Sequence, residues 1–181
     1  RAAYWKNGAI TFLGNPTEIS NAYSIFISEN NDVYVAGFTR DFNLYGQYAV
    51  YWKNGTQIVL STGSNNAIAN SIIVSGTDVY VAGREWNGAG AGHTAKYWKN
   101  GTPYPLTDGS KDADAQAIFI SGSDVYVDGS EEKSVTSSKN IAKYWKNGVA
   151  VALTDGSTNA NASAISVVGA LLIIPSANAN S

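Results

Sequence analysis

The sequence predicts an all-β fold made of short, repeated antiparallel strands, and three observations support this. The pentapeptide Tyr-Trp-Lys-Asn-Gly occurs four times, with starts 47, 46 and 47 residues apart, at Tyr4, Tyr51, Tyr97 and Tyr144. Asn-Gly between β-rich runs is typical of a type I′ hairpin turn, because both central residues must adopt φ > 0. No segment has the 3.6-residue apolar period of an amphipathic helix.

Each repeat contains four predicted strands, named A to D in chain order. Strand A is of the Ile-Phe-Ile type, strand B carries Val-Tyr-Val, strand C ends in Trp-Lys, and strand D follows Asn-Gly. Helical repeats can have the same period, but these residue types favour strands. Four-stranded units of this length are typical of β-propeller blades.

Residue types within the repeat also predict the order of strands across each sheet. Pro103 and Pro105 stand two apart in one strand D, so both missing N–H groups face the same side. Only an open edge tolerates that, which predicts D as the outermost strand. Small residues recur at the start of strand A, as a crowded central axis requires, at Ala22, Ala69, Ala115 and Ala162.

The chain begins with strands C and D and ends with strands A and B. We therefore expect one domain, residues 1–181, folded as a four-bladed β-propeller whose ring closes by pairing the first strands with the last. The predicted blades are residues 20–61, 68–107, 114–154, and 162–176 together with 2–14. The alternatives are a fragment of a larger ring, or chains that share blades.

The fourth repeat departs from the pattern, because Leu171-Leu172-Ile173-Ile174 replaces Asp-Val-Tyr-Val. Two interpretations of these aliphatic residues stay open. They suit a strand that closes the ring, and they equally suit a contact for self-association, for which the outer edge strands are a second candidate.

Composition argues against several classes of function. The net charge of −2 offers no basic surface for nucleic acid, and the absence of cysteine removes disulfides and thiolate metal sites. The longest apolar run, residues 167–175, is too short to insert across a membrane. Asp108, Asp112 and Asp114 match a calcium loop only loosely, so we expect no metal and no cofactor.

Function is expected on the face that carries the B–C loops, because these loops differ most between repeats. The candidate ligand-binding residues are Trp86, Arg84, His93, Arg40 and Tyr45. The competing interpretation of Trp86 is packing on its own loop. His93 is the only histidine, so a catalytic or metal site made of several histidines is excluded.

Three functions are compatible with these residues. The first is a non-enzymatic binding or scaffold protein that takes a glycan or a protein ligand. The second is a structural subunit of an extracellular assembly or filament. The third, an enzyme, is disfavoured because no nucleophile–base pair is recognisable.

The Tyr-Trp-Lys-Asn-Gly and Asp-Val-Tyr-Val units resemble the tandem repeats of uncharacterised, secreted bacterial β-propeller proteins. The resemblance covers nearly the whole chain but concerns framework residues. It implies a propeller fold and a secreted or cell-surface location, and it carries no catalytic or binding residue over to this chain.

Overall fold

The computed structural model describes residues 1–41, 46–61, 66–88, 92–169 and 171–177. These residues form an all-β structure with three four-stranded antiparallel sheets. Sheet 1 contains β3 (Glu18–Ile27), β4 (Val33–Asp41), β5 (Tyr48–Lys53) and β6 (Thr56–Val59). Sheet 2 contains β7 (Ala67–Ser75), β8 (Asp78–Trp86), β9 (His93–Lys99) and β10 (Thr102–Pro105). Sheet 3 contains β11 (Ala113–Ser121), β12 (Asp124–Glu132), β13 (Asn140–Lys146) and β14 (Val149–Ala152).

Shorter pairs of strands stand at both ends of the chain. The N-terminal hairpin consists of β1 (Ala3–Lys6) and β2 (Ala9–Phe12). The C-terminal segment pairs β15 (Asn161–Ala162) with β18 (Ser176–Ala177), and β16 (Ser166–Val168) with β17 (Leu171–Ile173).

The predicted strand order is confirmed within each complete sheet. Every sheet is a meander in which strand A forms one edge and strand D the other. Strand β10 carries Pro103 and Pro105, and among the described strands it pairs with β9 alone. Its prolines therefore cost no ladder hydrogen bond on a central strand.

The Asn-Gly turns also have the predicted conformation. In the second copy, Asn54 has φ 50° and Gly55 has φ 86°. The asparagine has a further role, because its Oδ1 accepts a hydrogen bond from the Val33 N–H at 2.9 Å while its own N–H donates to the Val33 carbonyl at 2.8 Å. The same pair of bonds recurs at Asn100 and Asn147. The repeated asparagine thus ties strand B to the C–D turn.

Neighbouring sheets pack through the repeated aromatic residues. Tyr34 and Ala36 of sheet 1 pack against Val81 and Trp98 of sheet 2, and sheet 2 packs on sheet 3 in the same way. Strands A approach one another closely enough for the Ile72 N–H to donate to Ser24 Oγ at 3.3 Å. Two of the four repeated tryptophans, Trp98 and Trp145, are buried in these contacts. Trp52 is also buried, but in a cluster with Leu13.

Ring closure is where the structure departs from the sequence prediction. Within the described residues, β1 pairs only with β2 and β17 only with β16, so residues 2–14 do not pair with 162–176. Each end is instead held by its own neighbour: Leu13 packs in a cluster with Trp52 of sheet 1, and Val167 in one with Tyr126 of sheet 3. In the complete sheets, an aspartate at the start of strand B forms an ion pair with a lysine of strand C, as Asp32 does with Lys53 Nζ at 3.0 Å. Among the described residues, the strands at the two ends of the chain lack this ion pair.

Candidate functional site

The candidate site contains residues from a β-bulge near the start of strand A. In β7 the pairing with β8 shifts between Ala69 and Ser71, and in β11 the pairing with β12 shifts at the equivalent place, so Asn70 and Gln116 are extra residues. A bulge re-aims the side chain of the extra residue. The facing position on β8 is Gly83, where a side chain would collide with the Ile68 carbonyl oxygen.

The bulged residues converge on Asp114. The Asn70 Nδ2 donates to Asp114 Oδ1 at 2.7 Å, and the Gln116 Nε2 donates to Asp114 Oδ2 at 2.7 Å. Arg84, from the end of β8, forms an ion pair with the same carboxylate at 3.2 Å. Sheets 2 and 3 are therefore joined at this end by one polar cluster.

Burial and charge act in opposite directions on the carboxylates of this cluster. Burial raises the pKa of Asp114 to about 6, although the Arg84 charge and the Asn70 hydrogen bond favour the ionised form. At Asp112, burial alone would raise the pKa, but hydrogen bonds and charge from His93 outweigh it and lower the pKa. The His93 backbone N–H and Nδ1 lie 2.8 Å and 2.6 Å from Asp112 Oδ1.

Two adjoining cavities open at the end of the sheets where strands A and C begin and strand B ends. The larger, of about 390 Å³, has eight polar residues among those that line it: Arg84, Asp112, Asp114, Gln116, Ser130, Asn140, Asn161 and Ser163. The smaller, of about 210 Å³, is lined by Arg40, Gln47, Asn66, Ile68, Arg84 and His93. Arg84 lines both cavities, so the two form one polar surface across sheets 1 to 3.

The structure brings together three of the five residues that the sequence singled out. Arg84, His93 and Arg40 all line the smaller cavity. Trp86 packs edge-on against His93, with ring centroids 5.3 Å apart and an interplanar angle of 72°, and it is not among the residues lining either cavity. Tyr45 lies outside the described residues.

Sequence reasoning missed the centre of the cluster. In the sequence, Asp112 and Asp114 stand out only through a loose match to a calcium loop, and Asn70 and Gln116 are not among the candidate residues. The signal that would have found them is the residue after the repeated alanine of strand A, which differs in every copy. It is Tyr23, Asn70, Gln116 and Ser163 in turn, amid otherwise similar neighbours.

Neither a cluster of potential metal ligands nor a membrane-spanning helix occurs in the described part of the chain. Its histidine, aspartate and glutamate side chains form no group of three or more that could hold a metal ion. Nor does any helix among these residues have the length and apolar character needed to cross a bilayer.

Comparison of the sequence with protein-family models and with curated proteins finds no match.

Proposed function

We propose that this protein is a non-enzymatic binding module that takes a hydroxyl-rich ligand, a glycan, in the cavity beside Arg84 and Asp114. The observation that carries the proposal is the lining of the larger cavity, where a guanidinium, two carboxylates and three carboxamides surround about 390 Å³. Sugar hydroxyls both donate and accept hydrogen bonds, so they suit a wall that offers both. A cavity of this size accommodates a small ligand.

Preorganisation of the cluster supports binding in particular. Asp114 holds Arg84 by an ion pair and receives hydrogen bonds from Asn70 and Gln116 before any ligand arrives. Side chains that are already ordered lose little further conformational entropy when a ligand binds. The wall therefore presents fixed donors and acceptors, as discrimination between sugars requires.

The architecture proposed for this module is a β-propeller with sheets 1 to 3 as blades. A fourth blade would combine the N-terminal hairpin, as strands C and D, with the C-terminal segment, as strands A and B. Its support is that each half already packs on the neighbour that such a blade would have, namely sheet 1 for the hairpin and sheet 3 for the segment. A secreted or cell-surface location fits a glycan ligand and remains part of this proposal.

The test is a glycan array followed by calorimetric titration of the best ligand. Arg84→Ala should weaken binding at least tenfold, because it removes the cation shared by both cavities. Lys99→Ala is the matched control, since Lys99 also forms an ion pair with an aspartate, Asp78, at 2.8 Å, but lies at the opposite end of its sheet. If Arg84→Ala binds the ligand normally and Lys99→Ala loses binding, the site lies at the opposite end of the sheet and the proposed location is wrong.

The Trp86→Ala variant tests whether the ligand is bound by the cavity alone or also by Trp86 on the adjoining loop. If the ligand is held by the cavity alone, this variant binds normally, because Trp86 contacts His93 instead of lining the cavity. If Trp86 is also an aromatic anchor, as the sequence predicts, affinity falls by roughly thirtyfold. Melting temperatures of all variants are measured alongside, so that loss of fold is not read as loss of binding.

A further inference from the structure

Near the N-terminus, on the hairpin and on β3, side chains are exposed whose equivalents in other copies of the repeat are buried. Trp5 is 68% exposed, whereas its equivalents Trp52, Trp98 and Trp145 are 0%, 1% and 1% exposed. Ile25 on β3 is 51% exposed, whereas the equivalent Ile72 is 4% exposed. In sheets 2 and 3 these positions are covered by the preceding sheet, and here they are not.

A groove of about 320 Å³ lies beside these exposed residues. One wall is β1, through Tyr4 and Trp5, and the other is β3 with Val35 of β4, through Tyr23, Ser24 and Ile25. Strand β1 is a strand C, and no described strand pairs with it as its strand B, so its inner edge has backbone groups without a ladder partner among the described residues. The groove thus occupies the place that strands A and B of the same blade would fill.

The C-terminal segment also has a strand with one unpaired edge. Strand β17 is a strand B without a strand C, so its outer edge is also unpaired within the described chain. Its exposed side chains are apolar, with Leu171 at 61% and Ile173 at 49% exposure, and Val168 on β16 is 68% exposed. An uncharged edge strand of this kind is a template for strand addition.

We propose that β16 and β17 of one copy of the chain fill the groove of a second copy, where β17 pairs antiparallel with β1. The inference rests on the blade architecture proposed above. The occupant is a second copy because, within the described residues, no strand pair joins the two ends of one chain. The contact is heterologous, so it generates rings or filaments.

The complete sheets predict the register of this pairing. In sheet 3, Tyr126 on strand B stands opposite Lys146 on strand C, and in sheet 2 Tyr80 stands opposite Lys99. Hairpin alignment makes Ile173 the equivalent of Tyr126, since Ile173 pairs with Ser166 as Tyr126 pairs with Phe119. Ile173 of one copy therefore stands opposite Lys6 of the next.

Self-association is tested by light scattering over a range of concentrations. The full chain should have at least twice the mass of one copy, and Ile173→Lys should raise the dissociation constant at least tenfold. The matched control is Val149→Lys, because Val149 is 68% exposed on β14, an outer strand D. A parent that stays monomeric, or association lost in Val149→Lys and kept in Ile173→Lys, would overturn the proposal.

Engineered cysteines test the register and decide which chain supplies the strand, since the natural sequence has none. Single variants Lys6→Cys and Ile173→Cys, mixed and oxidised, should form a disulfide-linked heterodimer, because directly opposed residues have Cβ atoms within bonding reach. Lys6→Cys with Leu171→Cys is the off-register control and should crosslink at least tenfold less.

The double variant, with both cysteines in one chain, shows whether the β17 that pairs with β1 comes from the same chain or from a second copy. Disulfide-linked dimers and larger species support exchange between copies. A crosslinked monomer at low concentration shows closure within one chain, which keeps the four-bladed architecture and overturns the exchange. Absence of any crosslink overturns the β1–β17 pairing itself, while the glycan assay remains an independent test of binding.

Discussion

Replacing Asp128 with asparagine should stabilise the protein by an amount that grows from about pH 4 to about pH 7, and it should reduce the dependence of stability on pH. Asp128 lies on β12, is fully buried, and stands where the other sheets have Ala36 and Ala82. One oxygen, Oδ1, accepts a hydrogen bond from the Ala117 N–H at 2.8 Å. The other, Oδ2, has no partner of ordinary hydrogen-bond geometry.

The pKa of Asp128 sets the size of the effect. Burial raises it from 3.8 to about 7, although hydrogen bonds from the backbone of Ala117 and Ala164 oppose the rise. Between these two values the folded protein binds the proton and the unfolded chain does not, so the free energy of unfolding falls as pH rises. At about 1.4 kcal/mol for each pH unit, the ionised carboxylate destabilises the fold by about 4 kcal/mol at pH 8.

Asparagine has the shape of the protonated acid and does not ionise. The variant should therefore match the wild type near pH 4 and exceed its stability by up to about 4 kcal/mol at pH 8. A smaller decline should remain between pH 4 and pH 6, because the pKa of Asp114 is also raised, to about 6, by burial.

Urea unfolding followed by tryptophan fluorescence at pH 5, 6, 7 and 8 measures this directly. Asp124→Asn is a control of opposite sign, because hydrogen bonds from Lys146 and Asn147 lower the pKa of the exposed Asp124 carboxylate. That control should lose stability at neutral pH. The reasoning is refuted if wild-type stability stays constant or rises from pH 5 to pH 8, or if Asp128→Asn brings no gain at pH 8.

Three further predictions concern the repeat framework and use urea unfolding of dilute protein. Gly55→Val forces a β-branched residue to φ 86° and should cost about 1–3 kcal/mol; parent-like stability would contradict the turn. Asn100→Ala should cost about 1–2 kcal/mol more than Asn7→Ala, because both have φ near 50° but only Asn100 also bonds a strand B, at Val79; equal losses would exclude a role for that bond. Trp98→Ala should lower the free energy of unfolding by about 3–5 kcal/mol, because Trp98 is buried, whereas Trp5→Ala should lower it by under about 0.5 kcal/mol, because Trp5 is exposed. Similar losses in both variants would mean that Trp5 is covered.

The parts of the fold that sequence predicted are those governed by neighbouring residues. The Asn-Gly turns follow from the φ preferences of two residues, as the values of 50° and 86° at Asn54 and Gly55 confirm. The edge position of strand D follows from Pro103 and Pro105, because a proline has no N–H wherever the chain places it. Repetition then extends each local rule to every copy.

The candidate site was predictable only in part. The diverging B–C segments predicted a site at one end of the sheets, and Arg84, His93 and Arg40 line a cavity there. The large aromatic ring of Trp86 made it a candidate for ligand binding, yet this ring packs on His93. Composition alone does not distinguish an aromatic ring that faces a ligand from one that covers its own loop.

The sequence by itself determined the strands, the turns and the order of strands in each sheet, because φ preferences, missing N–H groups and alternating side chains act over a few residues. Only the tertiary structure decided the site and the ends. Asn70 and Arg84 reach Asp114 across 44 and 30 residues, through a bulge and the packing of two sheets. The strands of the two ends do not pair within the described residues, and each end packs on a different neighbouring sheet; these are long-range contacts that no local pattern records.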